Sequence, residues 1–183
     1  MARVEMREGR LMVSLPEGRY FRLEDAATHE AVKDQGLTDV DFAWMADDDT
    51  HLWLMELKDY GPDSPGDLRQ SLGKLRDQLP KNFVHAALVV SSVWARTPFG
   101  KALRADIEST FSNFPEAACP VRAAAVIHLE NPQDVALLAG LQDAIIGAVR
   151  AMRFDAVLVL PATSPRLPSD LGIAIRRADV PPA

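Results

Sequence analysis

The sequence predicts a single-domain α/β fold, in which a mixed central β-sheet with an antiparallel meander is flanked by helices. Strand patterns follow one another closely in the N-terminal third and then alternate with helical patterns, which is typical of a mixed sheet covered by helices. The length of 183 residues suits one domain, and 48% apolar residues are enough for a core. We assign residues 1–178 to the domain and residues 179–183 to a flexible tail.

The N-terminal part of the chain predicts a β-hairpin, a short helix and two further strands. Residues 16–18, Pro-Glu-Gly, lie between two β-rich runs, as expected for a hairpin turn. Gly36 is expected to end the helix, and the three aspartates at 47–49 predict a polar turn between the next two strands. The predicted bounds are 10–15 and 19–23 for the hairpin, 25–35 for the helix, and 38–45 and 52–60 for the strands.

The C-terminal part predicts helices that alternate with strands. Ser64 and Pro65 suit the start of a helix, leucines recur after them at helical spacing, and Pro80 is expected to end this helix. The apolar run at 85–93 predicts a strand that is buried on both faces. The predicted bounds are 64–79, 97–114 and 133–152 for helices, and 85–93, 121–129, 155–160 and 172–176 for strands.

Charge and cysteine content narrow the functional classes. With 20 basic and 26 acidic residues, the formal net charge is −6, so a surface that binds nucleic acid has to be a local basic face. Cys119 is the only cysteine, which excludes an intrachain disulfide. The sequence also lacks an apolar run of about 20 residues and an apolar N-terminal leader. We therefore expect a cytoplasmic protein without a membrane-spanning segment.

Charged residues in the apolar run from Leu52 to Tyr60 mark a candidate site. Side chains alternate along a strand, so Glu56 and Lys58 share one face. Asp41 lies on the preceding predicted strand, and pairing around the turn would bring it near Glu56. Two neighbouring carboxylates repel each other unless a cation lies between them, and divalent cations such as Mg²⁺ prefer oxygen ligands. Lys58 could neutralise the pair, orient a water, or stabilise charge that develops on a phosphate.

Asp41, followed by the Glu-Leu-Lys tripeptide at 56–58 in an apolar strand, resembles the core motif of the PD-(D/E)xK nuclease superfamily. This superfamily has the restriction-endonuclease-like fold. The predicted helix at 64–79 and the predicted strand at 85–93 also fit the order of elements in that fold. The resemblance covers about residues 25–93.

The resemblance implies a metal-dependent site for phosphodiester hydrolysis. Asp41 and Glu56 would hold Mg²⁺ or Mn²⁺, and Lys58 would take part in catalysis. The sequence departs from the family pattern at Val40, where the motif has proline, and at Lys74, where some subgroups have tyrosine. A supporting acid is also expected, and its candidates are Glu24, Glu30 and Asp39.

The predicted helix after the motif offers side chains for nucleic-acid contact. Arg69 and Arg76 are seven residues apart and share one face, whereas Gln70 and Lys74 are four apart and share another. These four residues are candidates for contacting phosphates of nucleic acid, with DNA favoured over RNA. The alternative is an ordinary solvated helix face, since acidic residues lie among them.

The resulting hypothesis is a metal-dependent nuclease that hydrolyses phosphodiester bonds in DNA or RNA. Because the chain is small and acidic, we expect a protein partner or a homo-oligomer to supply specificity, in a setting such as defence or DNA repair. The alternative is a catalytically silent nuclease-fold subunit that binds or scaffolds a larger complex. Glu56 and Lys58 would then form a structural ion pair. An open, concave site favours catalysis, and a closed, paired one favours the scaffold.

Overall fold

A five-stranded mixed β-sheet forms the centre of the fold. The computed structural model describes residues 2–46, 50–61, 64 and 66–178 of the chain. Within these residues the strands are β1 (Arg3–Glu8), β2 (Leu11–Pro16), β3 (Tyr20–Phe21), β4 (Phe42–Met45), β5 (Leu52–Tyr60), β6 (Val121–Leu129), β7 (Ala156–Pro161) and β8 (Ala174–Arg177). The α-helices are α1 (His29–Asp34), α2 (Leu68–Trp94), α3 (Pro98–Ile107) and α4 (Val135–Val149).

The central sheet joins an antiparallel part to a parallel part. Its order is β3-β4-β5-β6-β7, with antiparallel pairing from β3 to β5 and parallel pairing from β5 to β7. α2 and α3 connect β5 to β6, and α4 connects β6 to β7. Parallel neighbours need such crossovers, because a tight turn cannot join them. The structure confirms the predicted mixed α/β class and its antiparallel meander.

Two apolar layers cover the central sheet. On one face, apolar side chains of the helices pack with Leu52 and Leu54 of β5. On the other face, a three-stranded sheet of order β1-β2-β8 packs against Trp53 and Met55. The first six residues of β5 are all buried, as its apolar composition predicted. Glu56 lies in this buried stretch and is only 3% exposed.

The N-terminal hairpin forms from strands other than those predicted. β1 pairs antiparallel with β2, with Val4 opposite Leu15. The predicted pairing of residues 10–15 with residues 19–23 is wrong, because residues 20 and 21 form β3 and join the central sheet. The prediction omitted β1, although its alternation of exposed and half-buried residues is that of a strand with one solvent face.

α2 is a single helix of 27 residues that includes Pro80. The predicted helix end at Pro80 and the predicted strand at 85–93 are therefore wrong. Proline removes one backbone hydrogen bond, but apolar side chains continue at helical spacing beyond it. Phe83, Ala86 and Val90 are buried in the helical layer. Burial of these apolar side chains outweighs the tendency of Pro80 to end the helix. The run at 85–93 is ambiguous in the sequence, because a short apolar run fits a buried helix as well as a buried strand.

The segments before the candidate site are shorter than predicted. α1 begins at His29, and a 3₁₀ turn, Leu23–Asp25, precedes it. β4 begins at Phe42, so Asp39 and Asp41 precede this strand and do not lie in it. Their side chains are positioned by contacts with neighbouring elements.

The other differences from the prediction are small. The N-cap of α2 is Asp67, whose side chain accepts a hydrogen bond from the backbone N–H of Gln70 at 3.0 Å, and not Ser64. α3 is shorter than predicted, whereas β6, α4, β7 and β8 agree closely with the predicted elements. Two predicted features lie outside the described residues, namely the turn at 47–49 and the tail at 179–183.

α4 lies in the segment Pro132–Met152, the one helix of the described residues that is long and apolar enough to cross a membrane. Its two ends lead directly into β6 and β7 of the central sheet. Leu138 and Ile145 on its inner face are buried in the core. The side chain of Gln142 accepts a hydrogen bond from the backbone N–H of Val159 in β7 at 2.9 Å. We interpret α4 as a helix that covers the sheet of this domain.

Candidate active site

The structure brings Asp41, Glu56 and Lys58 together where β4 and β5 cease to pair. The antiparallel register of β4 and β5, continued by one residue, places Asp41 opposite Glu56. The Oδ2 atom of Asp41 accepts a hydrogen bond from the backbone N–H of Leu57 at 2.6 Å. This bond holds the Asp41 carboxylate against β5 although Asp41 itself precedes β4.

Glu56 is the buried member of the cluster. Its Oε1 atom lies 2.5 Å from Nζ of Lys58 and accepts a hydrogen bond from Nδ2 of Asn82 at 3.1 Å. Its Oε2 atom is buried and has no hydrogen-bond partner in the described part of the chain. A buried polar atom without a partner is unfavourable, because the water that it loses is not replaced. A cation or water that reached this oxygen would supply the missing partner.

Lys58 lies between the buried carboxylate and the solvent. Its side chain is 32% exposed, whereas that of Glu56 is 4% exposed. Burial lowers the pKa of Lys58, but attraction to Glu56 and Asp41 outweighs this effect and raises the pKa above its ordinary value. Lys58 is therefore protonated at neutral pH and contributes one positive charge to the cluster.

The two carboxyl groups have perturbed pKa values. Burial, with added repulsion from Glu56, raises the pKa of Asp41 to about 7 against the opposing effects of the Leu57 N–H and Lys58. Burial also raises the pKa of Glu56, although Lys58 and Asn82 act in the opposite direction. One ammonium group thus does not compensate two buried carboxylates. A proton or a further cation would stabilise the pair.

Of the three candidates for the supporting acid, Asp39 is the one that lies near the cluster. Its Oδ2 atom lies 2.8 Å from Nε2 of His29, and its side chain is 32% exposed. Repulsion from Asp39 contributes to the raised pKa of Glu56. Asp39 therefore adds negative charge to the cluster at its solvent side.

The other two candidates for the supporting acid have different partners. Glu24 forms an ion pair with Arg22. Glu30 lies on α1 with 81% of its side chain exposed, and it pairs with Lys33 at 3.6 Å. Neither glutamate contacts Asp41 or Glu56 in the described residues.

The four predicted nucleic-acid contacts lie on the exposed surface of α2. Arg69 is engaged in an ion pair with Asp134 at 2.7 Å. At about 1.5 Å per residue, Arg69 and Gln70 lie on the order of 20 Å along the helix from Asn82, which contacts Glu56. Lys74 lies one turn after Gln70 and Arg76 two turns after Arg69, so the four residues occupy two faces of the exposed surface of α2.

The carboxylate pair fits a hard divalent cation. Mg²⁺ is usually held by one or two carboxylates, and it keeps waters and substrate phosphates as its other ligands. Asp41 and Glu56 supply two carboxylates, and the unpartnered Oε2 of Glu56 is a ligand atom without another use. The described residues contain no group of three or more His, Cys, Asp or Glu that could hold a metal. A Mg²⁺ or Mn²⁺ ion at this site would therefore have only the two carboxylates as ligands from the described acidic residues.

Sequence reasoning missed two features next to the cluster. Asn82 follows Pro80 and so lies outside the helix that the sequence predicts. Asp59 contacts Nδ1 of His128 at 2.8 Å and accepts a hydrogen bond from Nε of Arg10 at 3.0 Å. The register of β5 and β6 places Asp59 directly opposite His128. Two helices separate these strands in the sequence, so no spacing pattern shows that they pair.

Comparison with known proteins identifies no relative of this chain. The chain matches no protein-family model, no curated protein and no solved structure. The resemblance to PD-(D/E)xK nucleases therefore rests on the sequence motif alone, on Asp41 and the tripeptide at 56–58, because the strand at 85–93 that also supported it is part of α2.

Proposed function

We propose that the protein is a metal-dependent nuclease that hydrolyses phosphodiester bonds in DNA or RNA, with a site similar to that of the PD-(D/E)xK superfamily. The observation that carries the proposal is the carboxylate pair of Asp41 and Glu56, buried beside the single charge of Lys58. Burial of uncompensated charge opposes stability, and groups with perturbed pKa values concentrate at functional sites.

Each residue of the cluster has a defined role in this proposal. Asp41 and the Oε2 atom of Glu56 would hold Mg²⁺ or Mn²⁺, which supplies Lewis-acid chemistry at a phosphate when bound. Asn82 holds the other oxygen of Glu56 and so fixes the orientation of the carboxylate. Lys58 places a positive charge at the solvent side, where charge develops on the phosphate. Asp39 is the supporting acid.

The setting of the activity is part of the same proposal. The net charge of −6 does not favour unaided binding to nucleic acid, so a protein partner or a homo-oligomer would supply specificity. We favour DNA as the substrate, a cytoplasmic location without membrane attachment, and a role in defence or repair.

The second candidate is a catalytically silent nuclease-fold subunit that serves as a scaffold. The observation that favours it is the closure of the site around Glu56, which is 3% exposed. Lys58 and Asn82 both contact its Oε1 atom. In this case Asp41 serves to satisfy the backbone N–H of Leu57, and the ion pair of Glu56 with Lys58 is structural.

Cleavage of labelled nucleic acid by the purified protein tests the proposal. We expect loss of full-length single- or double-stranded DNA or RNA with Mg²⁺ or Mn²⁺, and no loss when EDTA removes the cation. Products are resolved on a denaturing gel. If folded protein cleaves none of these substrates and binds neither cation, the silent subunit is the better account. Cation binding without cleavage would instead indicate that a partner is required.

A further inference from the structure

The hairpin turn between β1 and β2 forms a positively charged cavity that the roles above do not use. Arg7, Arg10, Arg177 and Ala178 line this cavity, which has a volume of about 300 Å³. Guanidinium groups on a concave surface attract anions, and Arg10 contributes to this surface while it is paired with Asp59. The chain as a whole is acidic, with a net charge of −6, whereas this surface is basic.

Arg7 and Arg10 are each held in place by one hydrogen bond, which their own Nε atom donates. The Nε atom of Arg7 donates a hydrogen bond to the carbonyl oxygen of Gly9 at 2.8 Å. The Nε atom of Arg10 donates to Oδ2 of Asp59 at 3.0 Å. Within the part of the chain that the structure describes, the terminal nitrogens of Arg7 and Arg10 have no hydrogen-bond partner. Each side chain is thus oriented, and its two terminal nitrogens remain available for the paired bonds that arginine makes with phosphate.

Contacts with neighbouring residues orient the Asp59 carboxylate, which in turn holds Arg10 in this position. Its Oδ1 atom contacts Nδ1 of His128 at 2.8 Å and accepts a hydrogen bond from the backbone N–H of Gly61 at 2.9 Å. Burial raises the pKa of Asp59, but these contacts and Arg10 outweigh it and hold the pKa below its ordinary value. A side chain at position 61 would collide with the His128 ring, so glycine permits this close packing.

The cavity lies at the same end of β5 as the candidate active site, but on the opposite face of the central sheet, because successive side chains of a strand point to opposite faces. Asp59 follows Lys58 directly in β5, and its partner Arg10 lies in the hairpin turn. Glu8, at the start of the same turn, is close enough to Asp41 to raise its pKa. Contact with both the cavity and the carboxylates therefore requires an extended anion that passes around this end of β5.

We propose that Arg7 and Arg10 form a phosphate-binding site that holds the backbone of DNA at the end of β5 that carries Lys58. This inference rests on the proposed nuclease function, because it names the surface that holds the substrate. It places the main phosphate contacts on the hairpin of β1 and β2, and not on the exposed face of α2.

Binding of a fluorescein-labelled DNA duplex, measured by fluorescence anisotropy in EDTA, tests this site without cleavage. We expect Arg7→Ala to weaken binding by about tenfold at low salt. The slope of log affinity against log salt concentration should fall by about 1. Arg7→Lys should be intermediate, because lysine keeps the charge but lacks the paired nitrogens. Arg7 is exposed, so all three proteins are expected to be equally stable.

Arg150→Ala is the matched control, since it removes an exposed arginine at the C-terminal end of α4 that belongs to no proposed site. It should bind DNA as the parent does. Equal binding by Arg7→Ala and the parent, or no DNA binding by the parent, would overturn the inference. Binding that depends on Arg7 in a protein that never cleaves would support the phosphate site and contradict the nuclease. Cleavage that is unaffected by Arg7→Ala would contradict the phosphate site alone.

Discussion

The Glu56→Gln variant is expected to lose metal-dependent cleavage while it remains folded. Glutamine keeps the shape of the side chain and can still accept the hydrogen bond from Asn82, but it removes the charge that would bind the cation. We expect the initial cleavage rate to fall at least about 100-fold. The free energy of unfolding should stay within about 1 kcal/mol of the parent value, or rise, because a buried charge is gone. Cleavage assays and urea unfolding of the same preparations measure the two effects.

Glu30→Gln is the matched control for this variant. Glu30 has 81% of its side chain exposed and pairs with Lys33 at 3.6 Å. The control should cleave and unfold as the parent does. Cleavage at the parental rate by Glu56→Gln would show that Glu56 does not hold the cation.

The Lys58→Met variant is expected to lose about 3 kcal/mol of unfolding free energy near neutral pH. Methionine keeps the apolar stem of the side chain but leaves the buried Glu56 without its ion-pair partner. Burial already raises the pKa of Glu56 above its ordinary value of 4.5, and loss of Lys58 raises it further. A carboxyl whose pKa is raised on folding binds its proton more tightly in the folded state. The loss should therefore be smallest below about pH 4.5 and grow as the pH rises to neutrality.

Two further variants show whether the loss of stability in Lys58→Met comes from the broken ion pair or from replacing any lysine by methionine. The double variant Glu56→Gln with Lys58→Met should recover most of the stability that Lys58→Met loses, because no buried charge is left unpaired. Lys33→Met removes an exposed lysine from a surface pair and should change stability by less than about 0.5 kcal/mol. A loss for Lys58→Met that is independent of pH would contradict a charged Glu56 in the parent.

The sequence predicts those residues of the site that are marked by patterns within one strand or between two strands that are neighbours in the sequence. The apolar run of β5 identifies a buried strand, and alternation along it puts Glu56 and Lys58 on one face. β4 and β5 are neighbours in the sequence, and the apolar pattern of both strands constrains their antiparallel register. Asp41 could therefore be placed near Glu56, although it lies before β4 and is held by the Leu57 N–H.

The parts of the fold that the sequence does not predict depend on long-range packing. α2 continues through Pro80 because its apolar side chains pack in the core. The helix propensities of the residues do not include this stabilisation by tertiary packing. Asn82 reaches Glu56 only in this continuous helix. The arginine cavity combines Arg7 and Arg177, which lie near opposite ends of the chain and meet because β1 and β8 both flank β2.

Calorimetric titration with Mn²⁺ at about pH 6 and about pH 8 tests most directly whether the Asp41–Glu56 pair is a cation site. The pKa of Asp41 is raised to about 7, so the proton competes with the cation below this pH. The account predicts that binding tightens from the lower to the higher pH with release of protons, and that Asp41→Asn removes it. An absence of binding at both pH values, or binding that Asp41→Asn leaves unchanged, would contradict the account.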